Sequence, residues 1–440
     1  MTITRREFFA RNAMTAAATA TGVTLVGLSP ALGANASREP RQRAVPALPD
    51  ISPDMPLVFE QSEYEDRIRR FKMEMERRRL DVMLLYSNKS FFYLYGYDMA
   101  AGVSITYKAL IAPLEGQPTA HVRNTLVPWT TRIPQLQDVR TYDNSFDDSN
   151  ARQTVGILSD RKLLSGKRIG IETRSLQLTA HDYSIIREEV EKGGGELVDA
   201  SDLVMELCVR KSPAEIAMMR QAGKLYDVAA GAVLDAVKPG VRECDVNAEA
   251  MYAHFAAGGD DVAQPLMIVP APPAVSHMLP PTRRRLNAGE ILFFEVAGCI
   301  NRYHVIGAQA VACGTAPGTD TEEAFKRARE SAEVVRSLIR PGVAVADLAE
   351  AASRAGGDVD NIEAFHAGYS MGIAYRYRWH EDLIIRTGDS HILEEGMTLS
   401  IFGFGSAGDT FLFTADPIVV TGDGFDDLSG LPRDELHVAE

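Results

Sequence analysis

The run ILFFEVAGCINRYHVIGAQAVACG, residues 291–314, decides how the chain is read. It opens with four apolar residues, reaches Glu295 between Phe294 and Val296, turns at Gly298 and resumes at Tyr303 and His304. Small and apolar residues then carry it to Gly314. Two β-rich runs joined by a short Gly- and Asn-containing connection predict a hairpin. A carboxylate inside such a strand is costly unless it is paired or hydrogen-bonded. Glu295 is therefore either a structural acid held by backbone donors or an arginine, or a functional one.

Working outward, the flanking apolar runs PLMIVPAP, MTLSIFGFGSA and TFLFTADPIVVTG read as further strands. Between them a helix, a Pro-Gly-Val turn and a second helix with acidic first-turn residues occur twice, at Pro239 and at Pro341. This near-repeat predicts a domain of two similar halves, with two helix pairs covering one curved antiparallel sheet. The domain is expected to start near 209–213, where Pro213 suits the first turn of a long helix, and to run over 209–430, leaving 431–440 as a tail. Upstream, residues 62–79 carry Tyr64, Ile68, Phe71 and Met75 at helical spacing with charge on the other faces. LDVMLLYS and KRIGIE read as strands, so residues 61–208 form an α/β domain; residues 37–60 are an extended lead-in. The overall class is α+β.

The N-terminus has a twin-arginine start at Arg5 and Arg6, a weakly apolar Ala- and Thr-rich run, and the small-residue site Ala34, Asn35, Ala36. Residues 1–36 are therefore expected to be an export signal that delivers the folded chain to the periplasm. A formal net charge of −14 argues against nucleic acid and anionic membrane surfaces as partners and leaves cationic or zwitterionic small molecules. The four cysteines form no CxxC pair; Cys299 with Cys313 is the one pair worth checking, and buried free thiols are the simpler expectation.

KSPAEIAMM at 211–219, the two PGV helix pairs, GYSMG at 368–372 and LEEGMTLS at 393–400 occur in an order that resembles the pita-bread family over roughly residues 60–430. That family includes aminopeptidase P, prolidase, methionine aminopeptidase and creatinase. The resemblance implies a pita-bread catalytic domain behind a creatinase-type N-terminal domain, in a homodimer. The peptidase members carry five metal ligands, and those positions fall here at Glu295, Ile306, Tyr369, Phe402 and about Ala415. Ile and Phe cannot coordinate a cation, so no metal and no cofactor are expected.

The remaining pattern resembles the metal-free branch of creatinase and ectoine hydrolase, the latter most closely in AGCINRYH at 297–304 and GYDMAAG at 96–102. Creatinase's water-activating histidine falls at His277, and the arginine that grips its substrate's carboxylate falls at Arg386. A neutral imidazole can take a proton from water and return it to a leaving nitrogen. A guanidinium fork suits a carboxylate. Creatinase's two substrate-holding glutamates fall at Ala308 and Phe402, so creatine itself is not the expected substrate. The resemblance thus implies His277 and Glu295 as catalytic residues and Arg386 as the grip on a small-molecule substrate, with Tyr97 and Asp98 in a region that closes the partner subunit's pocket in similar dimers. Tyr369 and Tyr303 are candidate donors to a developing oxyanion, Tyr369 as a catalytic residue and Tyr303, with His304 and His380, as a substrate-binding one. The expected activity is metal-independent hydrolysis of a C–N bond in a small carboxylate-bearing amide or amidine. A scaffold that binds without cutting, and a metal-dependent Xaa-Pro peptidase, are the alternatives. His380 falls in the Arg-rich segment YRYRWHED, read as a rim loop, and His366 is too isolated to assign.

Overall fold

The computed structural model describes residues 57–98, 107–143, 149–271, 280–355, 366–376 and 378–439. His277 and the expected export signal lie outside them. No helix among the described residues is long and apolar enough to cross a membrane.

The N-terminal part begins with α1 (Gln61–Arg77), β1 (Val82–Leu85) and α2 (Asn88–Tyr95). It continues through β2 (Ala109–Pro113), β3 (Thr119–Arg123), α3 (Val127–Thr130), β4 (Asp138–Tyr142), α4 (Ser149–Asp160), β5 (Arg168–Ile171), α5 (Ala180–Lys192), β6 (Glu196–Asp199) and α6 (Asp202–Val209). Its strands form one six-stranded sheet in the order β4-β3-β2-β1-β5-β6. Tyr64, Phe71 and Met75 are buried on α1, as their spacing predicts. Arg67 departs from the expected polar face. It is wholly buried, donating to Glu63 at 2.8 Å, to the Tyr93 carbonyl at 3.0 Å and to the Tyr303 hydroxyl at 3.2 Å. Paired and hydrogen-bonded in this way, its charge is tolerated inside the protein.

The second domain opens with α7 (Pro213–Ala236), whose Ser212 and Glu215 form a reciprocal capping box. Then come α8 (Glu243–Ala256), β7 (Met267–Ala271), β8 (Ile291–Ile300), β9 (Tyr303–Cys313), α9 (Thr319–Arg336), α10 (Val345–Ala355), β10 (Gly368–Tyr375), β11 (Arg378–Ile384), β12 (Thr398–Ala407) and β13 (Thr410–Val420), followed by the short β14 (Phe425–Asp427) and β15 (His437–Ala439). The two predicted helix pairs are α7–α8 and α9–α10, each turning at a left-handed glycine, Gly240 and Gly342. The main path of the sheet is β11-β10-β12-β13-β9-β8-β7, and β10 also pairs with β9, so the sheet curls back on itself.

The hairpin forms, but its turn is not at Gly298. Asn301 and Arg302 take φ of 48° and 66°, the two-residue turn that suits twisted strands. Gly298 lies within β8, where a Cβ would collide with the Ala222 carbonyl of α7. The same close approach explains Gly403 and Gly405 of β12, which face the Ala328 and Ala324 carbonyls of α9. Two further expectations are corrected. The RWHED end of the YRYRWHED segment lies in β11 rather than a rim loop, and the tail joins the sheet through β15, parallel to β9. All four cysteines are free, since Cys299 opposes His304 near the hairpin turn while Cys313 closes the far end.

Candidate active site

The glycine contacts assign the two faces of the sheet. Gly298, Gly403 and Gly405 face the helices, so the alternate residues line the opposite, concave face. On β8 those are Phe293, Glu295 and Ala297. Register carries the same face across the sheet: Glu295 opposes Ala308, Ala297 opposes Ile306, Ala308 opposes Ala415, Ala415 opposes Phe402, and Phe404 opposes Phe413. Tyr369 opposes Ser400 of β12, two residues from Phe402. The five positions aligned on metal ligands therefore share one concave surface.

Glu295 is 4 % exposed and accepts a hydrogen bond from the Tyr369 hydroxyl at 2.7 Å, its one hydrogen-bond partner among the described residues. Burial in these apolar walls pushes its carboxyl up to about 7, against the opposing pull of the Tyr369 hydroxyl. Burial and the adjacent carboxylate also push the Tyr369 phenol well above its ordinary range, so it acts as a donor. The Tyr369 ring stacks on His380 at 5.0 Å and meets Phe402 edge-on at 5.2 Å. His366 completes the group, 5.6 Å from Tyr369 and 5.1 Å from Phe402. His366 is the residue that sequence reasoning left unassigned. Its position two residues before GYSMG was the available signal.

His380 is held from behind. Its Nδ1 lies 2.7 Å from the Glu381 carbonyl and 3.3 Å from Arg378 Nε; the shorter contact, to an acceptor, places the ring proton on Nδ1. Burial lowers its pKa to about 4, so the ring is neutral. The Glu381 side chain points away from the cleft into a buried ion pair with Lys211, each 1 % exposed, and Lys89 of α2 stands 3.8 Å from the same carboxylate. Lys211 Nζ also donates to the Val209 carbonyl at 3.2 Å.

The other candidates separate into distinct places. Arg386 follows β11 and is exposed; Leu383 and Ile385 pack in the helix-side core, so alternation puts Arg386 on the concave side, at the rim. Tyr303 is corrected: it points to the helix face, where its hydroxyl donates to Glu215 of α7 at 2.9 Å and accepts from Arg67. His304 is also corrected. Its Nε2 accepts from the Ala263 amide at 2.9 Å and its Nδ1 donates to the Arg302 carbonyl at 2.8 Å, so both nitrogens are engaged by backbone. Burial holds it neutral, at about 3. Tyr97 is buried in the N-terminal domain, bonded to Thr130 at 2.7 Å. Asp98 grips the hairpin turn instead, 2.8 Å from Arg302 Nε and 3.1 Å from the Tyr375 hydroxyl.

A divalent metal does not fit this donor set. Of the five aligned positions only Glu295 offers a carboxylate, and no group of three His, Cys, Asp or Glu among the described residues could hold a cation. Asp416, adjacent to Ala415, faces the other way and makes a two-pronged ion pair with Arg329 of α9 at 3.0 and 2.9 Å.

Residues 67–207 match the Creatinase/Prolidase N-terminal domain, and residues 217–421 match metallopeptidase family M24. The chain belongs to the pita-bread M24 family. This M24 protein is 27 % identical to the ectoine hydrolase of Halomonas elongata over 399 residues, covering 86 % of the chain and 98 % of that enzyme. It is 28 % identical to the uncharacterized hydrolase/peptidase y4tM of Sinorhizobium fredii over 393 residues, with the same coverage of each. In fold it superposes on the dipeptidase PepE of Mycobacterium ulcerans with a TM-score of 0.73 at 21 % identity, covering 86 % of the chain and 99 % of that structure. The prolidase of Thermococcus sibiricus gives 0.75 at 18 %, covering 85 % and 99 %. Membership and these relatives support hydrolase activity for this M24 protein.

Proposed function

We propose that this M24 protein is a metal-independent hydrolase of a C–N bond, amide or amidine, in a small carboxylate-bearing solute. The observation that carries the reading is Glu295: it alone keeps a carboxylate among the five aligned positions, and it is hydrogen-bonded to Tyr369 inside an apolar concave face. The 27 % identity to an ectoine hydrolase supports the substrate class. In the reaction, His277 takes a proton from water. The resulting hydroxide attacks the carbon of the C–N bond, and the tetrahedral intermediate expels the nitrogen as His277 returns that proton to it. An amide yields a carboxylic acid and an amine; an amidine yields an amide and an amine. Glu295 holds the substrate's nitrogen, Tyr369 donates to Glu295 and orients it, and Arg386 anchors the substrate's carboxylate from the rim. Export by the twin-arginine route would place a homodimeric enzyme in the periplasm.

A second reading is a binding scaffold without turnover. It is favoured by Ala308, which stands directly opposite Glu295 where a further polar group would hold a substrate.

The test is a screen of small amides and amidines for amine release, followed by His277→Ala on whichever solute is turned over. Loss of turnover with binding retained supports the mechanism; undiminished turnover removes it. A ligand that raises Tm and is never converted selects the scaffold reading.

A further inference from the structure

Two groups compete for His380 Nδ1. The Glu381 carbonyl, 2.7 Å away, calls for a proton there; Arg378 Nε, 3.3 Å away, offers one. Which of them prevails decides the tautomer, and so whether Nε2, which nothing binds among the described residues, is an acceptor or a donor. The Glu381 carbonyl prevails because it is the better anchored. It also accepts from Arg378 Nη2 at 3.1 Å, and its own side chain runs from the far face of β11 into the ion pair with Lys211. Gly372, on the same strand as Tyr369, leaves the room for that pair: a Cβ there would stand 2.5 Å from Glu381 Oε1 and 2.9 Å from Lys211 Cε.

The Lys211–Glu381 pair is already neutral. Lys89 nevertheless brings a second ammonium from the N-terminal domain, 8 % exposed, to 3.8 Å from Glu381 Oε1, an oxygen with no hydrogen bond of its own among the described residues. Glu215, the other acid whose charge Glu381 feels, pairs with Arg67 at 3.4 Å. Burying a further cation is costly, and neutralising Glu381 does not require it. What Lys89 adds is grip. Lys211 holds Oε2 and Lys89 faces Oε1, so the carboxylate is fixed from both sides and the peptide that carries it is fixed too. The charge of Lys89 also reaches the ring: burial first, then Arg378, His366 and Lys89, hold His380 neutral, at about 4, against the pull of the Glu381 carbonyl. Arg378 is half exposed and paired with Asp382 at 3.0 Å, so its field is screened more than that of Lys89. We infer that Lys89 is a positioning residue of the active site: reaching across from the N-terminal domain it fixes Glu381, and through the Glu381 carbonyl it fixes His380 as the Nδ1–H tautomer with Nε2 as the free acceptor. The inference deepens the hydrolase reading and rests on it only in giving that acceptor a reaction to serve.

Nitrogen NMR of the full chain, with the His380 signals assigned by their loss in His380→Gln, reads tautomer and titration directly and needs no turnover. The parent should show Nδ1 protonated and Nε2 bare, with a midpoint at about 4. Lys89→Met and Lys89→Gln are two uncharged replacements, so the result does not hang on one packing arrangement. Both should populate the Nε2–H tautomer, as Arg378 takes over Nδ1, and raise the midpoint by about half a unit or more. Lys89→Arg should restore the parent's spectrum. On a solute that is turned over, kcat should fall roughly 10- to 100-fold in Lys89→Met with KM little changed. Parent-like tautomer and midpoint in both uncharged variants, or an unchanged kcat, would overturn the inference even where Tm falls, because a merely structural lysine would behave in that way. A spectrum that moves in a protein that hydrolyses nothing would overturn the hydrolase reading alone, and turnover with unmoved spectra would overturn this inference alone.

Discussion

The Tyr369 hydroxyl reaches Glu295 Oε1 at 2.7 Å although their strands, β10 and β8, are separated along the sheet by β12, β13 and β9. The curl that lets β10 also pair with β9 at Ile373 and Tyr303 is what brings the two side chains together. One consequence concerns acidity. Burial lifts the Glu295 carboxyl from 4.5 to about 7, so the neutral acid is the form the fold prefers.

Its contribution to stability is therefore complete below pH 4.5 and is lost as the pH rises through 7. The shift corresponds to about 3 kcal/mol across that window. Glu295→Gln keeps an acceptor for Tyr369 and cannot ionise. Its Tm should match that of the parent near pH 4.5 and exceed it progressively toward pH 8. Thermal melts across that range check this; parallel curves would show that Glu295 does not titrate there.

Tyr369→Phe removes the one donor to a buried carboxyl group. An unsatisfied buried acceptor costs about 1–3 kcal/mol. Because the Tyr369 bond lowers the Glu295 pKa, its loss should move that pKa further up. Turnover should drop at least tenfold, and the limb of the pH–rate profile that belongs to Glu295 should shift to higher pH. An unchanged profile would leave Tyr369 a packing residue.

Lys211→Met strands Glu381 in the interior with Lys89 3.8 Å away as its remaining cation. Breaking a buried pair by removing one member costs about 3–5 kcal/mol, and the second lysine places this variant near the lower end. Denaturant unfolding measures it. Replacing both partners, Lys211→Met with Glu381→Leu, should recover most of the loss.

Chelation should have no effect. Ile306, Phe402 and Ala415 offer no donors on the face where Glu295 lies, so dialysis against EDTA should leave both Tm and turnover unchanged. A fall restored by Mn, Zn or Fe would overturn the metal-independent reading.

Much of the architecture was written in local pattern. The hairpin, the two helix pairs with their Pro-Gly turns, and the long helix opening at Pro213 follow from periodicity and turn chemistry, which act over a few residues. The order of motifs was enough to suggest the family. Details that depend on what packs above or below a strand were not legible. Gly298 reads as a turn, but the close approach of α7 places it inside β8, and the turn falls to Asn301 and Arg302. Arg67 reads as surface charge and is buried, because Glu63, the Tyr93 carbonyl and the Tyr303 hydroxyl surround it.

The same division runs through the site. The chain's own order of residues determined that a lone acid, Glu295, sits where a set of metal ligands would stand, since side-chain chemistry at aligned positions can be read without coordinates. Tertiary structure alone decided which neighbours share its face. Side chains alternate along each strand, so a single step of parity sent Tyr303 to the helices, while sheet curvature gathered Tyr369, His380, His366 and Phe402 from β10, β11, β12 and the approach to β10. No short stretch encodes that gathering, because it depends on where separate strands stop, pair and bend.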